Sequence, residues 1–170
     1  MAHHSQPITI VPLSKNYLLQ AIRLVNRLFP DESGSPGQDL AGSIDGAALI
    51  AYRAANPEVL TLNYYLALNH NQQLVGIVGL YSLAEDYWEN TLWLGWYGVT
   101  PRQRNKKIGK TLLEYAIERA RERKATQLCL YTSTSPEEAR AQQLYDRYGF
   151  EITARVSKPH YELLYRRKKL

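Results

Sequence analysis

A chain of 170 residues, 45% of them hydrophobic and with a net charge of +5, can bury one sizeable core, which excludes a disordered polypeptide. No apolar run approaches the ~20 residues of a membrane helix. A lone Cys129 excludes an internal disulfide, and the first residues lack the charged-then-apolar pattern of a secretion leader, so a cytoplasmic setting is expected.

In chain order, residues 8–13 read as a short edge strand and residues 16–29 as a helix. In that helix Leu18, Leu19, Ile22, Val25 and Leu28 recur at helical spacing before Pro30 stops it. Residues 31–38 are rich in turn formers, and residues 39–55 read as one second helix ended by Asn56 and Pro57. The period then changes to two over residues 61–68. A polar turn follows at 69–73, then a nearly continuous apolar run over 74–83 fitting a strand buried on both faces. Residues 85–90 break it, and residues 91–99 form the next strand. Short polar connections predict antiparallel pairing among these three.

After a basic turn, Ile108, Leu112, Ala116 and Ala120 form an i, i+4 stripe. Residues 126–131 read as a strand parallel to the preceding one, because a helical crossover separates them. Ser135, Pro136, Glu137 and Glu138 have the chemistry of a helix start, with Ser135 as cap, and Gly149 closes that helix. Residues 150–156 and 161–165 read as a final hairpin, with Arg166, Arg167, Lys168 and Lys169 as a solvated tail. Without repeats or a linker, this is one α/β domain with a mixed sheet.

Charge locates the chemistry. Residues 1–100 carry four basic and eight acidic side chains, whereas residues 101–124 carry nine basic and three acidic. The excess sits where a strand turns into a helix, whose unpaired first amides and positive dipole end favour an anion. A phosphate-bearing ligand is therefore expected. Gly109, Lys110 and Thr111 could pass for the end of an NTPase loop, but that motif needs glycine at position 104, where Arg104 stands. The dinucleotide fingerprint is also absent.

Val99, Thr100 and Pro101, followed by Arg104, Lys107 and Gly109, resemble the strand end and Arg/Gln-x-x-Gly-x-Gly/Ala loop of the GCN5-related N-acetyltransferase family. Ala141, Tyr145, Gly149 and Phe150 match that family's Ala-x-x-x-Tyr-x-x-x-Gly-Phe in full. The resemblance extends over nearly the whole chain. It implies one N-acetyltransferase domain over residues 1–170, with a central mixed, mostly antiparallel twisted sheet of six to seven strands flanked by four helices. It further implies acetyl-CoA as donor and direct attack by a primary amine through a tetrahedral intermediate. The diphosphate is expected on the amides of Arg104, Asn105, Lys106, Lys107, Ile108, Gly109 and Lys110, with Arg102, Arg104, Lys106 or Lys107 adding charge. The pantetheine arm is expected along Tyr97 and Val99, which also supply an N–H to the thioester oxygen. Tyr145 matches the general acid for the leaving sulfur.

Two departures stand out. Lys107 replaces a motif glycine, so either the loop takes a conformation lysine tolerates or its amides are displaced. Glu138 stands where many relatives have asparagine near the pantetheine, and reads as a helix-dipole residue. No carboxylate lies within residues 91–99, so Glu85, Glu89 and Asp86 just before it are the candidate bases. With Asp31, Glu32 and Asp39 they could form an acidic mouth for a cationic small molecule or peptide amine. His3, His4, His70 and His160 lack ligand spacing, so no metal is expected. A non-catalytic acyl-CoA sensor is the alternative function, a nucleic-acid module ranks last, and a homodimer is left open.

Overall fold

The computed structural model describes residues 7–30 and 34–170. Asp31 and Glu32, like His3 and His4, lie outside the described residues. Eight strands form one sheet: β1 (Thr9–Pro12), β2 (Val59–Leu68), β3 (Leu74–Leu83), β4 (Thr91–Leu94), β5 (Gly98–Val99), β6 (Gln127–Ser133), β7 (Glu151–Ser157) and β8 (Glu162–Lys169). The spatial order is β1-β2-β3-β4-β6-β8-β7, with β5 beside β3. Every pair is antiparallel except β4 and β6, which are parallel as the helical crossover requires.

The α-helices among the described residues are α1 (Leu18–Leu28), α2 (Pro36–Gly42), α3 (Gly46–Ala55), α4 (Ile108–Glu122) and α5 (Ala139–Arg147). Helices α1 to α3 cover a front core that includes Leu24, Val25, Leu40, Leu62, Leu66 and Ile77. Helix α4 buries its expected stripe, from Ile108 to Ala120, on the back face beside Tyr145 and Phe150.

The chain differs from its sequence reading in four places. The single helix expected over 39–55 is two. Asp45 accepts a hydrogen bond from the Ala48 amide at 2.8 Å and caps α3, while a Cβ on Gly42 would stand 2.7 Å from Tyr52. That close approach folds α3 back on α2 and brings the Tyr52 hydroxyl to Asp39, to which it donates at 2.8 Å. The expected solvated tail is part of a strand, and its first residue is buried. Arg166 is buried at 4% exposure in β8, donating to Asp146 at 2.7 Å and to the Phe150 carbonyl at 2.8 Å. Ser135 makes no side-chain cap, so the turn before α5 is held by other bonds.

The fourth difference shapes the site. The strand expected over 91–99 is broken into β4 and β5. Leu94 stands opposite Leu80 and Gly98 opposite Ile77, so Gly95, Trp96 and Tyr97 face only Val78 and Gly79. One extra residue makes a β-bulge. Gly95 and Gly79 are joined by an amide-to-carbonyl bond of 2.8 Å, and the Tyr64 ring lies across both: a Cβ on Gly79 would overlap it, and one on Gly95 would stand 2.7 Å from its oxygen. The ring thus fills a slot that only glycine leaves open. Gly79→Ala is expected to destabilise the protein by about 1–3 kcal/mol, as overpacking does. A urea midpoint unchanged from the parent would disprove this account of the slot.

Candidate active site

The bulge opens the sheet. The pairing of β4 with β6 ends at Trp93 opposite Cys129, whereas the other edge of β6 pairs with β8 as far as Ser133. On β5, the Thr100 amide donates to the Val75 carbonyl, and Gly98 stands opposite Ile77. Alternation then turns the peptide groups of Tyr97 and Val99 to the other edge, into the gap facing β6. The result is a cleft with one wall of backbone that has no strand neighbour among the described residues.

At the end of this cleft lies the basic turn. The Arg104 amide donates back to the Pro101 carbonyl at 3.3 Å, so it leaves the expected anion-binding set. None of the amides from Asn105 to Lys110 donates to another described residue. Asn105 and Lys107 both hold left-handed backbone, with φ of 65° and 64°. The loop therefore keeps the conformation a glycine would favour, with a lysine in it. That conformation lets consecutive amides converge in front of α4, as a phosphate-binding turn requires.

The loop is tied to the bulged strand. The Tyr97 hydroxyl donates to the Gly109 carbonyl at 2.7 Å, and a Cβ on Gly109 would come within 3.3 Å of that oxygen. Burial, with Tyr148 nearby, pushes the Tyr97 phenol up, so it stays a donor. Among the expected cations, Arg104 Nε donates to the Val99 carbonyl at 3.3 Å and Lys106 to Gln103 at 2.9 Å. Arg140 reaches over from α5 and donates to the Asn105 side chain at 2.6 Å, a contact between loop and second helix that no motif signals.

Tyr145 lies on α5 at 6% exposure, its ring 6.3 Å from that of Tyr97 and 5.8 Å from Phe150. Its hydroxyl makes no hydrogen bond to a described residue. Burial first, then Tyr97 and Glu138, hold its phenol well above the ordinary range. It is therefore a neutral proton donor at any physiological pH. Glu138 is more than a helix-dipole residue. Its carboxylate accepts from the Ser133 amide at 2.9 Å and from the hydroxyls of Thr132 and Ser133. It ties the start of α5 to the cleft edge of β6.

The candidate bases are not brought to the cleft. Glu89 accepts from Gln127 at 3.3 Å and Asp86 from the Trp93 indole at 2.7 Å, both at the closed end where β4 and β6 still pair. Glu85 shares their short 3-10 segment, Ala84–Glu89. From Thr91 to Tyr97 the strand rises roughly 20 Å, which no glutamate spans. The carboxylate beside the bulge is Asp39, which accepts from the Trp96 indole at 2.9 Å. Sequence reading had it as one of six acidic residues. The helix split that singles it out is a tertiary event.

Burial pushes the Cys129 thiol up to about 11, which leaves it a packing residue. No helix among the described residues is long and apolar enough to cross a membrane.

No curated protein sequence matches the chain. Solved structures do. An acetyltransferase of the GNAT family from Staphylococcus aureus Mu50 is similar at a TM-score of 0.71 and 23% identity, over 96% of this chain and 99% of that one. The spermidine N-acetyltransferase of Vibrio cholerae, solved with CoA and spermine, is similar at 0.69 and 14%, over 95% of each. At these identities the likeness concerns the fold. The family model described as the acetyltransferase (GNAT) family matches residues 27–150, the stretch holding the split strand, the phosphate turn and Tyr145. With fold, motifs and family match agreeing, this chain belongs to the GNAT acetyltransferase family.

Proposed function

We propose that the protein transfers an acetyl group from acetyl-CoA to a primary amine. The observation that carries this reading is the row of free amides from Asn105 to Lys110, at the mouth of a cleft walled by Tyr97 and Val99. The geometry suits the carrier's parts in order. The turn takes the diphosphate, with Lys107 adding charge, and the edge of β5 that faces β6 takes the pantetheine amides. When bound, acetyl-CoA supplies an activated thioester.

The chain's own groups do the rest. A peptide N–H of the Tyr97–Val99 edge donates to the carbonyl oxygen as negative charge develops there. Tyr145 gives its proton to the departing sulfur, which its burial keeps available. With no carboxylate on the bulged strand, we assign no side chain as the base and expect the amine to lose its proton through water. The protein is expected to work in the cytoplasm on a small-molecule or peptide amine, and we assign no role in nucleic-acid binding.

That missing carboxylate also favours a second reading, a module that binds acyl-CoA without turnover. Titration calorimetry with acetyl-CoA, followed by a screen for CoA release across amines, tests both. Binding with release supports the transferase, and binding without release supports the module. Absence of heat overturns both.

A further inference from the structure

Among the described residues, the Asp39 carboxylate is bonded only to neutral groups. Its two oxygens accept from neutral donors, the Tyr52 hydroxyl at 2.8 Å and the Trp96 indole at 2.9 Å. No described lysine or arginine forms an ion pair with it. A half-buried carboxylate held by two neutral donors gains from a cation beside it.

Its surroundings point to an organic cation. Trp96 belongs to the bulge, so Asp39 stands one indole length from the backbone that walls the cleft. The Phe29 ring lies 5.3 Å from that indole. Along the same face, Tyr81 stacks on Trp93 at 6.3 Å, and Trp93 meets the edge of Tyr165 at 6.5 Å. Aromatic faces beside a carboxylate attract ammonium groups and reject anions.

We infer that Asp39, with the Trp96 and Tyr52 donors that orient it, holds a second cationic group of the acceptor, so that the preferred substrate is a primary amine bearing another ammonium a few carbons away. This rests on the transferase reading for its reacting amine, but the charge site can be tested apart from it. The indole between Asp39 and the bulge sets the spacing: one ammonium pairs with the carboxylate while the other end, deprotonated, reaches the cleft. A neutral aromatic amine would stack on the rings and leave Asp39 without a partner.

The test uses the full-length protein saturated with CoA, titrated with 1,5-diaminopentane and, as matched probe, 1-aminopentane. The diamine is expected to bind at least about tenfold more tightly. In Asp39→Asn that ratio should fall to near one, and Asp39→Glu should restore part of it. Where turnover is measured, the loss should appear in KM for the diamine and not in kcat. A merely structural Asp39 would lower both amines alike, and the CoA heat of the variant reports whether it folds. Equal affinity of the two probes for the parent, no heat with the diamine, or a preference surviving Asp39→Asn would each overturn the inference. Diamine preference without CoA heat would keep this charge site and remove the transferase reading. CoA heat without diamine preference would do the reverse.

Discussion

Tyr145→Phe is expected to lower kcat by about 10²-fold or more, the usual contribution of a positioned acid. The change deletes one oxygen that bonds to no described residue, from a ring packed between Tyr97 and Phe150, so the fold should barely respond. Acetyl-CoA titration and thermal melting therefore separate chemistry from structure. A kcat within threefold of the parent would remove Tyr145 from the mechanism. The sign of the pH dependence follows from burial. The folded phenol ionises only above the ordinary range, so the acid form persists as pH rises through 10. Between pH 6 and 9 the rate should rise as the amine loses its proton, with no descending limb from Tyr145. Stability shows the linked effect. An unfolded phenol ionises near 10, the buried one later, so stability from this group is complete below about pH 10 and lost above it.

Lys107→Glu should weaken acetyl-CoA binding by about tenfold to a hundredfold, since it reverses a charge beside the expected diphosphate in a mostly solvated turn. The effect should shrink with added salt. Lys107→Gly separates charge from conformation at the same position. The backbone there has φ 64°, which costs a lysine about 1 kcal/mol relative to glycine. The glycine variant should therefore melt a few degrees higher while losing the contribution of one cation to binding. Equal affinity in all three proteins would show that the diphosphate does not sit on this turn.

The two motifs are local, and local chemistry is what a chain reveals unaided. A basic turn before an apolar stripe marks an anion-binding helix start wherever it folds. The spacing of Tyr145 to Gly149 and Phe150 places the phenol on the face that packs against the sheet. Strand β2 was legible from its period of two, β3 from its continuous apolar run, and the one parallel pair from its crossover. The bases were not, because Glu85 and Glu89 are near the strand in sequence but lie at its closed end, held by Gln127 and their own short turn.

Register lies beyond periodicity. Residues 91–99, with the aromatic bulk of Trp93 and Trp96, read as one strand, and only pairing with Gly79 and packing of Tyr64 force the extra residue that opens the cleft. Arg166 reads as a tail residue until Asp146 and the Phe150 carbonyl, twenty and sixteen positions away, surround it. Charge and motif spacing thus marked a basic turn before α4, whose amides from Asn105 to Lys110 bond to no described residue, and a buried helix face carrying Tyr145. Tertiary packing decided where the sheet parts and which carboxylate stands beside the gap, because both depend on contacts between residues far apart in the chain.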